Sequence, residues 1–245
     1  MAAAFEAIVL AGGLGTRLAS RLAGIPKAMA PVAGRPFLEI LLSQLDRAGC
    51  ARVLLSVGHL HSAIQDRFGA SFRGLALDYV IEEVPLGTGG AIRKALPAAG
   101  TESVLVLNGD TFLQADYAAM LQFHASQRTG MTMAITHRQD IARYGGVLLQ
   151  EERIVGFEEK GRSGPGSRPG SGPGSRPGWI NAGAYVLRKD LQWPRSLPEK
   201  FSFELDFLAP EIGRLAPAAF VVDGFFLDIG VPEDLDRAQQ ELAGF

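Results

Sequence analysis

The sequence predicts an α/β fold, a mostly parallel mixed sheet flanked by helices and continued by a small antiparallel extension. Two observations carry that prediction. Apolar runs of strand length alternate with helically spaced apolar residues through the first half, and from about Met131 short strands follow one another with little helix between them. Composition agrees: 245 residues at 47% hydrophobic and 20% charged suffice for one large domain with a substantial core, and exclude wholesale disorder.

"FEAIVL" (Phe5 to Leu10) reads as a buried first strand by its length and β-branched content. "RPFLEILLSQLDRAG" (Arg35 to Gly49) places Phe37, Leu38, Leu41, Leu42 and Leu45 at helical spacing and stops at a glycine. Next come a second strand in "ARVLLSVG", a helix through "SAIQDRFG" and a third strand in "LALDYVIE". "GTGGAIRKALPAAG" is a loop entering a helix, and "SVLVLNGD" a fourth strand. "MTMAITHR", "GGVLLQ", "RIVGFEEK" and "WINAGAYVLR" are the short strands of the second half. "VPEDLDRAQQELAGF" closes the chain as an amphipathic helix with Leu235, Ala238 and Leu242 on one face. The expected organisation is a single domain over 1–245, with a ligand-binding half at 1–130, a second half at 131–245 and a mobile loop at 161–178. In that loop "SGPGSRPG" (Ser163 to Gly170) is repeated letter for letter at Ser171 to Gly178. Gly, Pro and Ser without apolar residues cannot pack.

Several function classes fall away. A net charge of −2 gives no bulk attraction to nucleic acid. The single cysteine, Cys50, excludes an internal disulfide and suits a reducing compartment, so cytoplasm is the expectation. "MAAAFEAIVLAGG" carries Glu6, lacks a basic start and runs into glycines, unlike a signal peptide. No apolar stretch approaches the ~18 residues that span a bilayer, so no membrane partner is expected. His59 and His61 in "GHLH" read as surface or loop residues, since no further Cys or His cluster completes a zinc site. No G-x-S-x-G elbow supports serine-hydrolase chemistry.

The chemistry-bearing motifs fall where strands end, which is where open α/β sheets bind ligands. In "LAGGLGTRLASRLAGIPKAMAPV", Gly12, Gly13 and Gly15 let backbone approach an anion, a helix starting near Thr16 would add its dipole, and Arg17 and Lys27 add charge. A plain glycine-rich turn is the competing reading. Neither familiar phosphate loop fits: a dinucleotide fingerprint counted from Gly13 needs glycine where Leu18 stands, and a Walker loop needs Ser or Thr after Gly-Lys, whereas Lys27 sits in "IPKAM". "VLNGDTF" and "FFLDIG" put Asp110 and Asp228 at strand ends, the hard oxygen ligands that Mg²⁺ takes beside phosphates. Singly, each is more often a turn former or helix cap, and the glycine-rich loop expected on the same edge is what raises the pair. "VPLGTGGAI" brings the bare backbone of Gly87 to Gly90 to a strand end, with Thr88 either helping to read a purine edge or capping the helix. In "FEEKG" and "NAGAY", Glu159, Lys160, Asn181 and Gly183 offer hydrogen bonds to sugar hydroxyls and a cation for a sugar phosphate, a solvated charge cluster being the alternative.

Taken together, "LAGGLGTRL", "PKAMAPVAGRP", "PLGTGGAI", "LNGDTF", "FEEK", "NAGAY" and "DIGVPEDL" occur in the order seen in sugar-1-phosphate nucleotidylyltransferases, across nearly the whole chain. "PVAGRPFLE", "LSVGHL" and "FSFELDFL" resemble most closely the D-glycero-D-manno-heptose 1-phosphate guanylyltransferases among them. The resemblance implies a Rossmann-like sheet of the nucleotide-diphospho-sugar transferase type. It implies too that a nucleoside triphosphate, GTP in the heptose subgroup, and a sugar 1-phosphate give a nucleotide sugar and pyrophosphate. Carried over by residue, it assigns the nucleotide to Leu10, Ala11, Gly12, Gly13, Gly15, Thr16, Arg17, Lys27, Pro85, Gly87, Thr88, Gly89, Asn108 and Gly109. The sugar phosphate falls to Gly146, Glu159, Lys160, Asn181 and Gly183, and Mg²⁺ (or Mn²⁺) to Asp110 and Asp228. Arg17, Lys27, Asp110, Lys160 and Asp228 are then the catalytic set. After "EEK" this chain has Gly161 where proline often follows in the family.

The physical logic is compatible. Two anions must meet, and one pair of unit charges 4 Å apart repels by ~4 kcal/mol at an effective dielectric of 20. Neutralisation and alignment are therefore the catalytic tasks, and no general base is needed because the attacking phosphate is already ionised. Within the class, the alternatives are guanylyl transfer to mannose 1-phosphate, or uridylyl or thymidylyl transfer to a hexose phosphate. From another class, a non-catalytic sugar-nucleotide sensor is the alternative, which the joint presence of Arg17, Lys27, Asp110 and Asp228 disfavours. A homodimer stays open.

Overall fold

The run "FEAIVL" sets the middle of the sheet. In the computed structural model, which describes residues 4–13, 15–22, 24–158 and 176–245, it forms strand β1 (Phe5–Leu10). Ala7, Ile8 and Val9 are all fully buried, and they alternate between two hydrophobic cores, one on each face of the sheet. A strand apolar on both faces is what a helix-covered parallel sheet requires.

A three-residue 3₁₀ turn (Thr16–Leu18) and the short helix α1 (Ala19–Leu22) follow. The helix expected near Thr16 is thus a single turn of each kind, and its dipole contributes correspondingly less. Then come β2 (Pro31–Val32), β3 (Arg35–Pro36), α2 (Phe37–Arg47), β4 (Cys50–Val57), α3 (His61–Phe68), β5 (Ser71–Phe72) and β6 (Leu75–Ile81). Helix α4 (Gly87–Ala95), β7 (Ser103–Asn108), β8 (Thr111–Leu113) and α5 (Tyr117–Ser126) complete the first half. The second half supplies β9 (Met131–Arg138), β10 (Val147–Gln150), β11 (Arg153–Phe157), β12 (Gly178–Arg188), a π-helix (Phe203–Leu208), α6 (Ile212–Leu215), β13 (Ala218–Val221), β14 (Phe226–Asp228) and α7 (Pro232–Glu241).

One ten-stranded mixed sheet crosses both halves in the order β10-β11-β13-β9-β12-β7-β1-β4-β6-β5. It is parallel through β7-β1-β4-β6. Strand β12 pairs antiparallel with both β7 and β9, so the antiparallel extension grows from the same sheet rather than standing apart. One core packs α2 and the Leu235, Ala238 and Leu242 face of the C-terminal helix. The other packs Ile92 of α4 and the aromatic residues Phe203 and Phe207 against Ile8 and Tyr185. Each leucine that is fully buried here stabilises the fold by roughly 1.5–3 kcal/mol.

Two expectations need correction or restriction. The loop expected over 161–178 ends earlier, because Gly178 opens β12 and pairs with Arg138. Residues 161–175, Glu159 and Lys160 lie outside the described residues. Among the described residues no helix is long and apolar enough to cross a membrane.

Candidate active site

The carboxyl ends of β1, β6 and β7 open on one edge of the sheet, and a cavity of about 420 Å³ lies there. Leu10 to Gly13, Gly15, Thr16, Lys27, Pro85, Gly87, Thr88, Asn108, Gly109 and Asp110 line it. The glycine-rich turn and the acidic strand end, far apart in sequence, are therefore walls of one space. Gly15 has φ +59°, and a side chain there would meet the Lys27 Cβ at 3.0 Å, so the turn depends on glycine. Arg17 is exposed in the 3₁₀ turn beside Thr16 and is not part of the wall.

Next to this wall lies a charged corner. Strand β14 pairs antiparallel with β8, setting Asp228 opposite Thr111, and the Ile229 N–H donates to the Asp110 carbonyl at 2.9 Å. Asp110 and Asp228 are thereby neighbours. Lys27 Nζ donates to Asp110 Oδ2 at 2.6 Å, and the Gly230 N–H donates to Asp228 Oδ1 at 2.7 Å. Burial, and then the charge of Asp110, push the Asp228 carboxyl above the usual range, with Lys27 opposing them. Two crowded carboxylates, compensated by only one ammonium, supply oxygen donors that suit a divalent cation. Among the described residues no cluster of three or more His, Cys, Asp or Glu forms a full protein cage. A pair of carboxylates is compatible with Mg²⁺, which is commonly bound through one or two carboxylates and keeps further positions for phosphate oxygens and water. Nearby, the buried Asn108 Oδ1 has no hydrogen-bond partner among the described residues, an acceptor left for a ligand or water.

The first turn of α4 is shaped by Phe201. The Gly89 N–H donates to the Phe201 carbonyl at 3.0 Å, and a side chain at Gly89 would run into the Phe201 ring at 2.2 Å. Gly89 is buried under that ring and is absent from the cavity wall, where Gly87 and Thr88 stand. Thr88 is not the helix cap: Leu86 holds that position without a side-chain bond. The Thr88 hydroxyl instead donates to Glu204 Oε2 at 3.0 Å and accepts from the Phe203 N–H at 2.9 Å.

On the other side, β12 carries a bulge. Asn181 pairs with Ile135 and Tyr185 with Met133, so the three residues 182–184 of β12 lie opposite Ala134 alone. Gly183 takes φ +72° in the bulge, and its missing side chain would lie 3.0 Å from Asn108 Nδ2. Asn181 and Gly183 are thus brought next to the strand end that carries Asp110. The Gly183 N–H donates to Asn181 Oδ1 at 2.9 Å, which turns the Asn181 amide nitrogen away from the bulge. Gly146 lies beside the end of β11: its carbonyl accepts from the N–H of Glu158, the residue before Glu159, at 2.8 Å, and Glu158 is ion-paired with Arg176.

Sequence reasoning missed four groups. Glu82 follows β6 as Asp110 follows β7, a strand-end acid that the same rule would have found. It is buried, accepts from Ser56 Oγ at 2.9 Å and from the Leu86 N–H at 3.1 Å, and lines the cavity. Lys200 also lines it, carried there by the segment that packs on Gly87 and Gly89, with no local signal. Arg143, bonded to the buried Asp234 at 2.5 Å, feels the charge of Asp228. Glu204 gave no sign beyond lying in "FSFELDFL".

Residues 6–244 match the Nucleotidyl transferase family. The chain is 40% identical over 237 residues to the D-glycero-alpha-D-manno-heptose 1-phosphate guanylyltransferase of Aneurinibacillus thermoaerophilus, covering 97% of this chain and 98% of that one. It is 40% identical over 230 residues to the enzyme of the same name from Campylobacter jejuni, covering 94% and 96%. Crystal structures of HddC from Yersinia pseudotuberculosis, one of them complexed with GMP-PN, superpose with a TM-score of 0.81 at 34% identity, covering 97% of this chain and 99% of that one. With its family match running the length of the fold and the cavity at the strand ends, the chain belongs to the nucleotidyl transferase family.

Proposed function

We propose that this protein transfers a guanylyl group from GTP to D-glycero-D-manno-heptose 1-phosphate, releasing pyrophosphate and GDP-heptose for surface polysaccharide synthesis in the cytoplasm. The carrying observation is the corner where Lys27, Asp110 and Asp228 meet at the mouth of a glycine-walled cavity. The two heptose 1-phosphate guanylyltransferases at 40% identity supply the substrate class. Guanylyl transfer to mannose 1-phosphate is the second reading, since a mannose-1-phosphate guanylyltransferase of Mycobacterium tuberculosis is 34% identical over 97% of this chain, though over only 64% of its own length.

In the reaction, a phosphate oxygen of the sugar 1-phosphate bonds to the α-phosphorus of GTP, and the bond from that phosphorus to the bridging oxygen of pyrophosphate breaks. No proton needs to be removed, so positioning and charge stabilisation do the work. The amides of Gly12, Gly13 and Gly15 approach the triphosphate, with Leu10, Ala11, Thr16, Asn108 and Gly109 completing its cradle. Pro85, Gly87 and Thr88 bound the base end. Lys27 offsets charge on the phosphates, and Arg17, at the rim, reaches the departing pyrophosphate. Asn181 and Gly183 face the sugar phosphate beside Asp110, and Lys160 and Glu159 are assigned to it by the resemblance alone. Asp110 and Asp228 are the residues that would hold Mg²⁺ or Mn²⁺, and the chemistry such an ion supplies when bound is neutralisation of the reacting phosphates.

Pyrophosphate release measured for five nucleoside triphosphates against heptose, mannose and glucose 1-phosphates tests this reading. GTP with heptose 1-phosphate is expected to give the highest kcat/KM. A preference for UTP or dTTP removes the guanylyl assignment, and no release from any pair favours the sensor.

A further inference from the structure

A chain of part-buried hydrogen bonds, centred on the fully buried Tyr185, joins the nucleotide side of the site to the sugar-phosphate side. Asn181 Nδ2 donates to the Tyr185 hydroxyl at 2.6 Å, and that hydroxyl donates to Glu204 Oε1 at 2.9 Å. The other oxygen of the same carboxylate accepts from Thr88 Oγ1 at 3.0 Å and from Ser202 Oγ at 3.2 Å. Thr88 lines the nucleotide cavity, while Asn181 lies in the bulge beside Asp110. Tyr185 is fully buried and, like Glu204, does not touch the cavity.

Donor and acceptor directions are fixed along the whole chain. Asn181 Oδ1 is held by the Gly183 N–H, so the amide nitrogen must face Tyr185, which leaves its second hydrogen for a ligand. Tyr185 accepts from Asn181 and must then donate, which only an acceptor such as a carboxylate oxygen satisfies. Thr88 accepts from the Phe203 N–H and likewise must donate. Three hydroxyl donors converge on Glu204, and a carboxylate is the side chain that can receive all of them. The glutamate sits on a π-helix, a distortion frequent at functional sites.

We propose that Glu204 is a positioning residue that couples the two substrate subsites, so that ordering Thr88 on nucleotide binding also orders the Asn181 amide for the sugar phosphate. This rests on the guanylyltransferase reading for the identity of the two ligands. The coupling is a matter of geometry: rotation of Asn181 takes a partner from the fully buried Tyr185 hydroxyl, rotation of Thr88 takes one from Glu204, and the carboxylate shared by both transmits the change to the other end.

The test is a pair of cross-effects. Tyr185→Phe, which leaves the cavity wall untouched, is expected to weaken GTP binding about fivefold or more in calorimetric titration with Mg²⁺ and no sugar phosphate. Thr88→Val is expected to raise the KM for heptose 1-phosphate at saturating GTP by a similar factor. Glu204→Gln, which removes one acceptor while keeping shape, is expected to show both effects. Melting curves establish that each variant is folded. Should Tyr185→Phe change only the sugar-phosphate KM and Thr88→Val only nucleotide binding, the coupling is overturned, as it is if neither moves anything. If the unaltered protein releases no pyrophosphate from GTP and heptose 1-phosphate, the activity reading fails on its own. The GTP titration of Tyr185→Phe still decides the coupling in that event.

Discussion

The two halves of the sheet build their parts of the site by different means. In the parallel half, the cavity is walled largely by backbone and strand-end residues, placed by the arrangement of β1, β6 and β7. In the antiparallel half, Asn181 is placed by a bulge and held by other side chains, Tyr185 and Glu204. The first kind of site is as rigid as the sheet that carries it. The second depends on a network whose members are scattered through the sequence, and single substitutions there act at a distance.

The largest expected effect is at the seam between the halves. Asp110→Asn removes the charge that pairs with Lys27 and half of the carboxylate pair, and kcat is expected to fall about 10³-fold while the fold persists. Near-normal turnover in steady-state assays would take Asp110 out of the mechanism. Asp228→Asn should reduce turnover comparably yet raise the melting temperature in EDTA. The folded state disfavours the ionised Asp228 through burial and Asp110, so at neutral pH that carboxylate costs stability, and asparagine keeps the acceptor for the Gly230 N–H. An unchanged or lower melting temperature would show that the corner is not strained by charge.

In the parallel half the backbone itself is the target. Gly87 has φ +71°, and a side chain there would lie 2.5 Å from the Phe201 carbonyl oxygen. Gly87→Ala is expected to destabilise by about 2–4 kcal/mol in urea unfolding. A change below about 0.5 kcal/mol would mean that the first turn of α4 moves freely off Phe201.

The contact between α5 of the first half and β9 of the antiparallel half carries a pH-sensitive element instead. His124 in α5 is buried, bonded to Thr132 in β9 at 2.9 Å, and lowered to about 4 by burial and by Arg188. The unfolded chain binds this proton below about pH 6.5, whereas the folded chain resists it until about pH 4. The stability it contributes is therefore complete above pH 6.5 and lost as pH falls through that window, up to about 3 kcal/mol. His124→Gln should flatten the dependence, and an equal slope in both proteins would contradict the assignment. The smallest effect belongs to the exposed Arg67–Glu39 pair at 2.9 Å, where Arg67→Ala is expected to cost at most about 0.5 kcal/mol in urea unfolding and to leave kinetics unchanged.

The same division explains what could be read from the chain. Strands β1, β4, β6 and β7 and helix α2 announce themselves through apolar runs and helical spacing, because burial against a covered sheet imposes those patterns. Helix α5, "YAAMLQFHAS", has little polar contrast around it and goes unread. Strands β8 and β14 have three residues each, too short for a period, though their pairing is what joins Asp110 to Asp228. Strand-end acids and glycines are legible because topology fixes where strand ends lie. Tyr185, Glu204 and Lys200 are not, since their roles arise from contacts between distant segments such as Thr88 with Glu204.

The most direct test of the account is a crystal structure of the protein with Mn²⁺ and a non-reactive α,β-methylene analogue of GTP, read by the anomalous signal of the metal. The account predicts a Mn²⁺ peak about 2.1 Å from carboxylate oxygens of both Asp110 and Asp228, with the phosphates against Gly12 to Gly15. A metal bound away from that pair, or a nucleotide outside the cavity at the strand ends, would contradict it.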